Sequence, residues 1–376
     1  MIVFIDENIF EKQEYGGISR YFCELAKAIS ETPEHQILIY GGWSKNTYLS
    51  QLRQTNNLRV IKIGSKGAWL RSIKRWFNPI FRKAIFLSLR LKGQKIVYHP
   101  SYFSLDSFIH KHCDTSALTV HDLIYEHQEK NKYSKKVARR KKVQELVDHI
   151  IVVSESTAHD LSRFNPAVAN KISVIHLAAT PPATSPTQKE KRDNTFVFVG
   201  NRGDYKNGAL AIEALHLLQQ DIDAKILFVG GGGFNDEEND LINKTRLKNH
   251  VAQRNLSDTE LSQAYQSSAA LLFPSSYEGF GLPPLEAMQH DCPVIAQHVS
   301  SIPEVLGEWG TYLPDTTAEG LRALMLKTIQ QNETEDSQER KHYRAVKLNQ
   351  FSWKKTANKT ISVYDENQSI KRRLIN

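Results

Sequence analysis

Residues Ser275–Met288, reading SSYEGFGLPPLEAM, constrain this chain more than any other stretch. They follow the short apolar run Ala269–Phe273, which has the length and composition of a buried strand, and they lead into the helical pattern Leu285–Gln289. Gly279, Gly281 and the adjacent Pro283 and Pro284 lie between. Proline is tolerated in the first helical turn, where its missing N–H has no intrahelical partner. The order is strand, glycine loop, helix N-terminus, a layout that binds phosphate through backbone N–H groups and the helix dipole. Two carboxylates bracket the loop. Glu278 precedes it, and Glu286 is expected in the first helical turn, where the dipole favours a negative charge on its own account. A structural loop needs one glycine and one cap, and Glu-Gly-Phe-Gly-Leu-Pro-Pro-Leu-Glu carries more than that.

The phrase resembles the E-x7-E signature of retaining glycosyltransferases of the GT-B fold, family 4; the spacing, the glycines and the following Glu286-Ala287-Met288 all agree. The resemblance implies an α/β chain of two Rossmann-like domains facing across a cleft that holds the active site. It also implies a last helix that crosses back onto the first domain.

A chain of 376 residues is long enough for two domains. Strand and helix alternate through the first half. Ile2–Ile5, Gln36–Tyr40, Leu58–Ile63, Lys95–Tyr98, Ala117–Val120, Ile150–Val153 and Ile172–Ile175 read as strands. Gly17–Ser30, Ala68–Leu91 (interrupted at Pro79), Ser134–Asp148 and Thr157–Phe164 read as helices, the last capped by Ser154 or Ser156. Ala178–Asp193, with Pro181, Pro182 and Pro186 among polar residues, reads as a linker. Alternation then resumes with strands Thr195–Val199, Lys225–Val229 and Val251–Arg254 and helices Asn207–Leu218, Asn235–Lys248 and Asp258–Ser268. After the signature come the short segments Pro293–Ala296, Ile302–Leu306 and Thr311–Leu313, then helices Ala318–Gln331 and Ser337–Asn349. Such alternation predicts parallel sheets covered by helices on both faces. The expected domains are 1–178 for the acceptor and 190–358 for the donor, with a helix near 359–376 returning to the first.

Ligands of open parallel sheets bind outside the carboxyl ends of strands. After the strand Thr195–Val199 comes Gly200-Asn201-Arg202-Gly203-Asp204-Tyr205-Lys206-Asn207. Arg202 and Lys206 place two positive charges near a helix start, a pair suited to a diphosphate. The phrase resembles the diphosphate clamp of the family, although many relatives place arginine directly after the glycine. The four glycines Gly230–Gly233 permit close approach of a ligand, or simply a flexible loop. Gln253 and Asn255 match the strand end that cradles the nucleobase in relatives. Gly16 and Gly17, before a helix, look like the loop placed beside the diphosphate and acceptor. His121, in Val-His-Asp-Leu-Ile-Tyr, is similar to the family's His-Asp phrase and is expected to touch the donor sugar; His99 has the same location with less support. The resemblance thus implies Glu278, His121, Arg202 and Lys206 as catalytic. It implies Gly16, Gly17, Gln253, Asn255, Gly281, Leu282 and Glu286 as donor-binding, with Glu286 on the ribose diol, Glu278 on the donor sugar and no divalent metal.

The three cysteines, Cys23, Cys113 and Cys292, are too scattered for a disulfide framework or a metal site, which fits a reducing, cytoplasmic setting. No apolar run approaches the ~20 residues needed to span a bilayer. The first ten residues lack a basic leader, so they read as a strand and not as a signal peptide. A net charge of +8 calls for a partner or a surface. Lys66–Lys95 mixes nine cations with Trp69, Trp76, Phe77, Phe81 and Phe86, a composition suited to an anionic membrane surface or, alternatively, to aromatics facing the core beneath a solvated charged face. The resemblance to transferases with lipid-linked acceptors favours the first, at the inner face of the cell membrane. Lys130–Lys142 lacks large aromatics and reads as a solvated outer face. No nucleic-acid motif accompanies either.

The expected activity is transfer of a hexose from a nucleotide diphosphate sugar to a hydroxyl with retention, without a resident cofactor. Tyr15–Tyr21 and Tyr205-Lys206-Asn207 look like bacterial surface-polysaccharide mannosyltransferases, which makes GDP-mannose the leading donor ahead of UDP- and dTDP-sugars. A glycan or lipid-linked oligosaccharide is then the acceptor. The competing readings are an epimerase or a catalytically silent nucleotide-sugar-binding protein of the same fold, and a basic module for membrane or nucleic acid. Product analysis without acceptor separates the first two, and salt-dependent liposome binding tests the last.

Overall fold

The computed structural model describes residues 1–64, 71–128, 133–180, 192–331 and 338–366; for 71–75 and 204 it describes the backbone alone. Lys66, Trp69, Lys130 and Lys132, most of the expected linker, and the end of the expected returning helix lie outside the described residues. Contacts divide the chain into two units, Met1–Leu177 with Ser352–Asn376, and Ala178–Phe351.

The first unit is built on one parallel sheet of β1 (Ile2–Ile5), β2 (Gln36–Gly42), β3 (Leu58–Lys62), β4 (Ile96–His99), β5 (Thr115–Val120), β6 (His149–Val152) and β7 (Ile172–Val174). The order is β3-β2-β1-β4-β5-β6-β7, with Ile2 in register with both Gln36 and Ile96. The chain therefore winds outward from β1 to β3, returns to the middle, and winds out the other way. Strands β1, β4, β5 and β6 are buried along their whole length, which is why they read as unbroken apolar runs. The reversal leaves a crevice outside the carboxyl ends of β1 and β4.

The Gly17–Ser30 helix buries Tyr21, Phe22, Leu25, Ala26 and Ile29 at helical spacing. Against it packs the Trp353–Asp365 helix from the far end of the chain. Lys95 Nζ donates to the Tyr364 carbonyl at 2.7 Å, Thr356 Oγ1 donates to the His176 carbonyl at 2.8 Å, and Val363 joins Ile151 and Ile175 in an apolar cluster. The Arg71–Arg90 helix runs unbroken through Pro79, contrary to the interruption expected there. Proline removes one backbone donor, but Asn78, Phe86 and Leu89 are buried on one face and hold the two halves in line. The short helices Asn8–Lys12, Thr47–Gln51, Ser107–His112 and Ile124–His127 had no legible apolar period.

The second unit repeats the plan with β8 (Thr195–Val199), β9 (Lys225–Val229), β10 (Val251–Arg254), β11 (Ala270–Phe273), β12 (Val294–Ala296) and β13 (Gly310–Tyr312), in the order β10-β9-β8-β11-β12-β13. Every pairing is parallel. Phe196 and Phe198 face one apolar cluster, and Val197 faces another with Leu271, Phe273, Met288 and Val294, as the period of two along a strand requires. The short segment Ile302–Leu306 is a helix, with Pro303 in its first turn. Both units thus have the Rossmann-like winding of the GT-B fold.

Candidate active site

In the second unit the winding reverses between β8 and β11, so the loops leaving these two neighbours must lie side by side. The first carries Lys206 and the second carries Glu278. Their side chains form an ion pair, the ammonium against Glu278 Oε1, and both are almost wholly buried. Lys206 Nζ also lies 4.8 Å from the centre of the Phe273 ring. The two loops are stitched by backbone: Ser276 N donates to the Tyr205 carbonyl at 2.8 Å, and Asn207 Nδ2 donates to the Pro274 carbonyl at 2.8 Å. Asn207 adopts a left-handed φ of 56°, which asparagine tolerates better than most residues. Two serines that the sequence did not single out hold the far side. Ser300 Oγ accepts from the Glu278 N–H at 2.9 Å, and Ser301 Oγ donates to the carbonyls of Glu278 and Phe280, each at 3.0 Å. Their place after β12, at the carboxyl edge of the sheet, was the available signal.

The helix that follows is Leu282–Gln289, three residues longer at its start than the apolar pattern indicated. Gly281 is its N-cap with φ +99°, and a Cβ there would stand 2.9 Å from Ile302 Cδ1. The conformation and the space both require glycine. Glu286 is consequently the fifth helical residue and not a first-turn one, so the dipole does not account for it. It is 9% exposed, with the Tyr265 hydroxyl 3.4 Å from Oε2.

Arg202, expected in the diphosphate clamp, is held by groups of its own unit. Its guanidinium binds Glu238 through Nε at 2.8 Å and Nη2 at 3.1 Å, and donates to the carbonyls of Gly230 at 3.2 Å and Gly233 at 2.8 Å. Four of the five donors of an arginine are thereby engaged. The ring of Phe234 lies 4.9 Å from the guanidinium carbon, and the side chain is 3% exposed. Burial pushes the Glu238 carboxyl up, but the Arg202 hydrogen bonds, the Asn235 backbone N–H and the Arg202 charge together hold the group below its usual range. Glu238 also closes a capping box with Asn235, the phrase by which it could have been noticed. In this geometry Arg202 shapes the glycine loop, where Gly230, Gly231 and Gly232 have φ near +75°. Gln253 supports the same loop through Nε2, 3.1 Å from the Gly230 carbonyl, and lies 3.2 Å from Asn255 Oδ1. Gln253, Asn255 and Arg202 are therefore brought together around Gly230.

In the first unit Gly16 is the N-cap of the Gly17–Ser30 helix, in extended conformation. One helix-end N–H, that of Ser19, is already taken by Gln13 Oε1 at 3.1 Å. The two histidines at strand ends differ sharply. His99 is 0% exposed and has both ring nitrogens occupied, Nδ1 by the Tyr364 hydroxyl at 2.7 Å and Nε2 by Thr119 Oγ1 at 3.0 Å. Thr119 in turn meets the Tyr21 hydroxyl at 3.0 Å. His121 sits edge-on to Tyr21 at 4.8 Å, and its Nε2 is buried without a hydrogen-bond partner among the described residues. Burial, then repulsion from Arg140, pushes its imidazole down to about 3. A neutral ring with an unused nitrogen can hydrogen-bond a sugar hydroxyl. Arg140 corrects the reading of its segment as a solvated face: it is buried against the Phe103 ring at 4.1 Å and ion-paired with Glu126 at 2.9 Å. The one Asp-Xaa-Asp phrase in the chain, Asp221-Ile222-Asp223, lies at the amino end of β9, opposite the site. Asp221 pairs there with Arg322, and Asp223 with His250 at 3.3 Å.

Residues 15–179 match the family described as Glycosyltransferase Family 4, and residues 183–345 match the family described as Glycosyl transferases group 1. The chain is 24% identical to O-antigen chain mannosyltransferase B of Escherichia coli over 96% of its length and 99% of that protein's. Among solved structures it is similar to sucrose-phosphate synthase of Thermosynechococcus elongatus, with a TM-score of 0.74 and 18% identity over 97% of this chain and 98% of that one. It is also similar to HepE of Anabaena in complex with UDP and glucose, with a TM-score of 0.73 and 16% identity over 97% and 99%.

Proposed function

Because the chain belongs to the group 1 and family 4 glycosyltransferases, we propose that it transfers a hexose, foremost mannose, from a nucleotide diphosphate sugar with retention at the anomeric carbon. The acceptor is a glycan or lipid-linked oligosaccharide of a bacterial surface polysaccharide, met at the inner face of the cell membrane. The observation that carries the reading is the buried Lys206–Glu278 pair, at the strand-order reversal and beside the start of the Leu282–Gln289 helix. The end-to-end alignment with an O-antigen mannosyltransferase supports mannose, and GDP-mannose leads over UDP- and dTDP-hexoses.

The second unit takes the donor and the first unit the acceptor. Lys206 and the N–H groups at Gly281 and Leu282 neutralise the leaving diphosphate, and stabilising the charge that develops on departure is usually the largest catalytic term. Glu286 accepts from the vicinal ribose hydroxyls, and Glu278 from hydroxyls of the donor sugar. His121, neutral, bonds a sugar hydroxyl. Gly16 and Gly17 lie along the diphosphate. Gln253 and Asn255 meet the base, while Arg202 keeps the glycine loop in shape. The bond from the anomeric carbon to the diphosphate breaks as the acceptor oxygen bonds to the same face. The departing phosphate oxygen takes the acceptor proton, and Lys206 with the N–H groups of the helix start carries the diphosphate charge without a divalent metal.

The test is transfer from GDP-mannose to a lipid-linked oligosaccharide, with the anomeric configuration of the product read by NMR. Lys206→Ala should lower turnover about a hundredfold or more, by analogy with loss of one oxyanion donor; unchanged turnover removes Lys206 from the mechanism. EDTA should leave the rate unaltered, and an inverted product would exclude the same-face step.

A further inference from the structure

The Arg71–Arg90 helix is amphipathic in the reverse of the usual sense. Its packed face is partly polar. Asn78 bonds the Tyr40 hydroxyl at 2.8 Å and Glu11 at 2.7 Å, and Arg82 is ion-paired with Glu7 and with Asp106, the latter at 2.6 Å. Phe86 and Leu89 complete that face. The opposite face is open and apolar: Trp76, Ile80, Leu87 and Leu91 are 77%, 60%, 46% and 89% exposed, with Phe77 and Phe81 beside them. At about 100° per residue these six side chains fall within an arc of roughly 140°, centred opposite the buried one. An aromatic and aliphatic stripe this continuous is not the scattered exposure ordinary on a soluble surface.

Charge says what covers it. From His35 to Leu105 the chain has thirteen lysines and arginines and no aspartate or glutamate, more positive charge than the +8 of the whole molecule. Lys83 and Arg90 flank one edge of the stripe on the helical wheel, and Lys92 follows in the turn after the helix. A second copy of this face would bring like charges together, and a nucleic acid can stack bases on Trp76 and Phe77 but offers nothing to the aliphatic Ile80, Leu87 and Leu91. A leaflet with anionic headgroups satisfies both halves, taking the side chains below the headgroups while lysine and arginine reach up to them. No helix among the described residues is long and apolar enough to cross a membrane.

We propose that the outward face of the Arg71–Arg90 helix seats the first unit on an anionic bilayer surface, lying in the plane of the interface. The assignment rests on the proposed lipid-linked acceptor only for its purpose, since the bilayer is where such an acceptor resides. The full chain is sedimented with vesicles of phosphatidylcholine alone and of phosphatidylcholine with phosphatidylglycerol. Binding should be at least about tenfold stronger to the anionic vesicles, weaken with added salt, and be accompanied by a blue shift of tryptophan emission that Trp76→Phe removes. Ile80→Asp and Leu87→Asp should each reduce binding about tenfold or more, with melting temperature and the stabilisation by GDP unchanged. Equal binding by these variants, or no vesicle binding by the parent, overturns the proposal. A concentration-dependent dimer that Ile80→Asp dissolves, without change in vesicle binding, assigns the face to self-association instead. Failure to transfer mannose would leave vesicle binding as measured, so the two readings fail separately.

Discussion

Lys206 and Glu278 neutralise one another in a site read here as the seat of a diphosphate. An incoming diphosphate must take the ammonium from the carboxylate, and the buried carboxylate then faces the donor without its cation. Glu278→Gln removes that competitor. Binding of GDP measured by calorimetry should be equal or several-fold tighter in the variant, while mannose transfer falls at least about tenfold; weaker GDP binding would show that the carboxylate supports the phosphates. His99 bears on pH. Burial, then repulsion from His121, pushes its imidazole down to about 3, whereas an unfolded histidine titrates near 6.5. Between these values the unfolded chain holds the extra proton, so stability present above pH ~6.5 is lost on acidification, at up to about 1.4 kcal/mol per pH unit. Melting temperature should fall from pH 6.5 to pH 4, and His99→Gln, which offers an amide without a titrating charge, should flatten that fall. The sequence identified residue types at strand ends but not their partners. Arg202 looked like a second cation for phosphate because its binding to Glu238, thirty-six positions on, depends on where the glycine loop turns.

At the scale of elements, the loop from β11 to its helix is set by Gly281. Gly281→Ala would strain a left-handed backbone by about 1–2 kcal/mol and press a methyl group against Ile302. The melting temperature should drop, and affinity for the nucleotide should fall because the helix start shifts. Ile302→Val in the same chain should recover the steric part alone, a distinction thermal unfolding of the single and double variants can read. Strands buried on both faces were legible because they are unbroken apolar runs between turn residues. Short helices were not, since four to six residues hold barely one turn of periodicity. Leu282 and the two prolines fooled the boundary for the reason that makes them good starters: proline in the first turn resembles a loop in sequence and a helix in space. Pro79 erred in the other direction, because packing on Asn78, Phe86 and Leu89 overrode a local preference.

Over the whole molecule, the two reversals in strand order follow from strict strand–helix alternation, and so the Rossmann-like winding was legible before any coordinate. The return of the last helix, Trp353–Asp365, was implied by the family resemblance alone, and its start and its contacts were not legible, because a polar-looking helix can hide one apolar edge. Val363 and Tyr364 are buried in the first unit, and each such side chain stabilises by about 1.5–3 kcal/mol when fully buried. Deleting 352–376 should therefore abolish cooperative unfolding of the first unit. The second unit, which is continuous in sequence, should keep its transition and its stabilisation by GDP, as calorimetry of the truncated chain would check. The same helix sets an order of events at the ribosome. Units usually fold as they emerge, the earlier first. Here the second unit can close while the first still waits with His99 Nδ1 lacking its partner, until Tyr364 is synthesised and arrives from the far end of the chain. The half made first is finished last, and for about half of translation its β5–β6 face is an open hydrophobic surface in need of shelter.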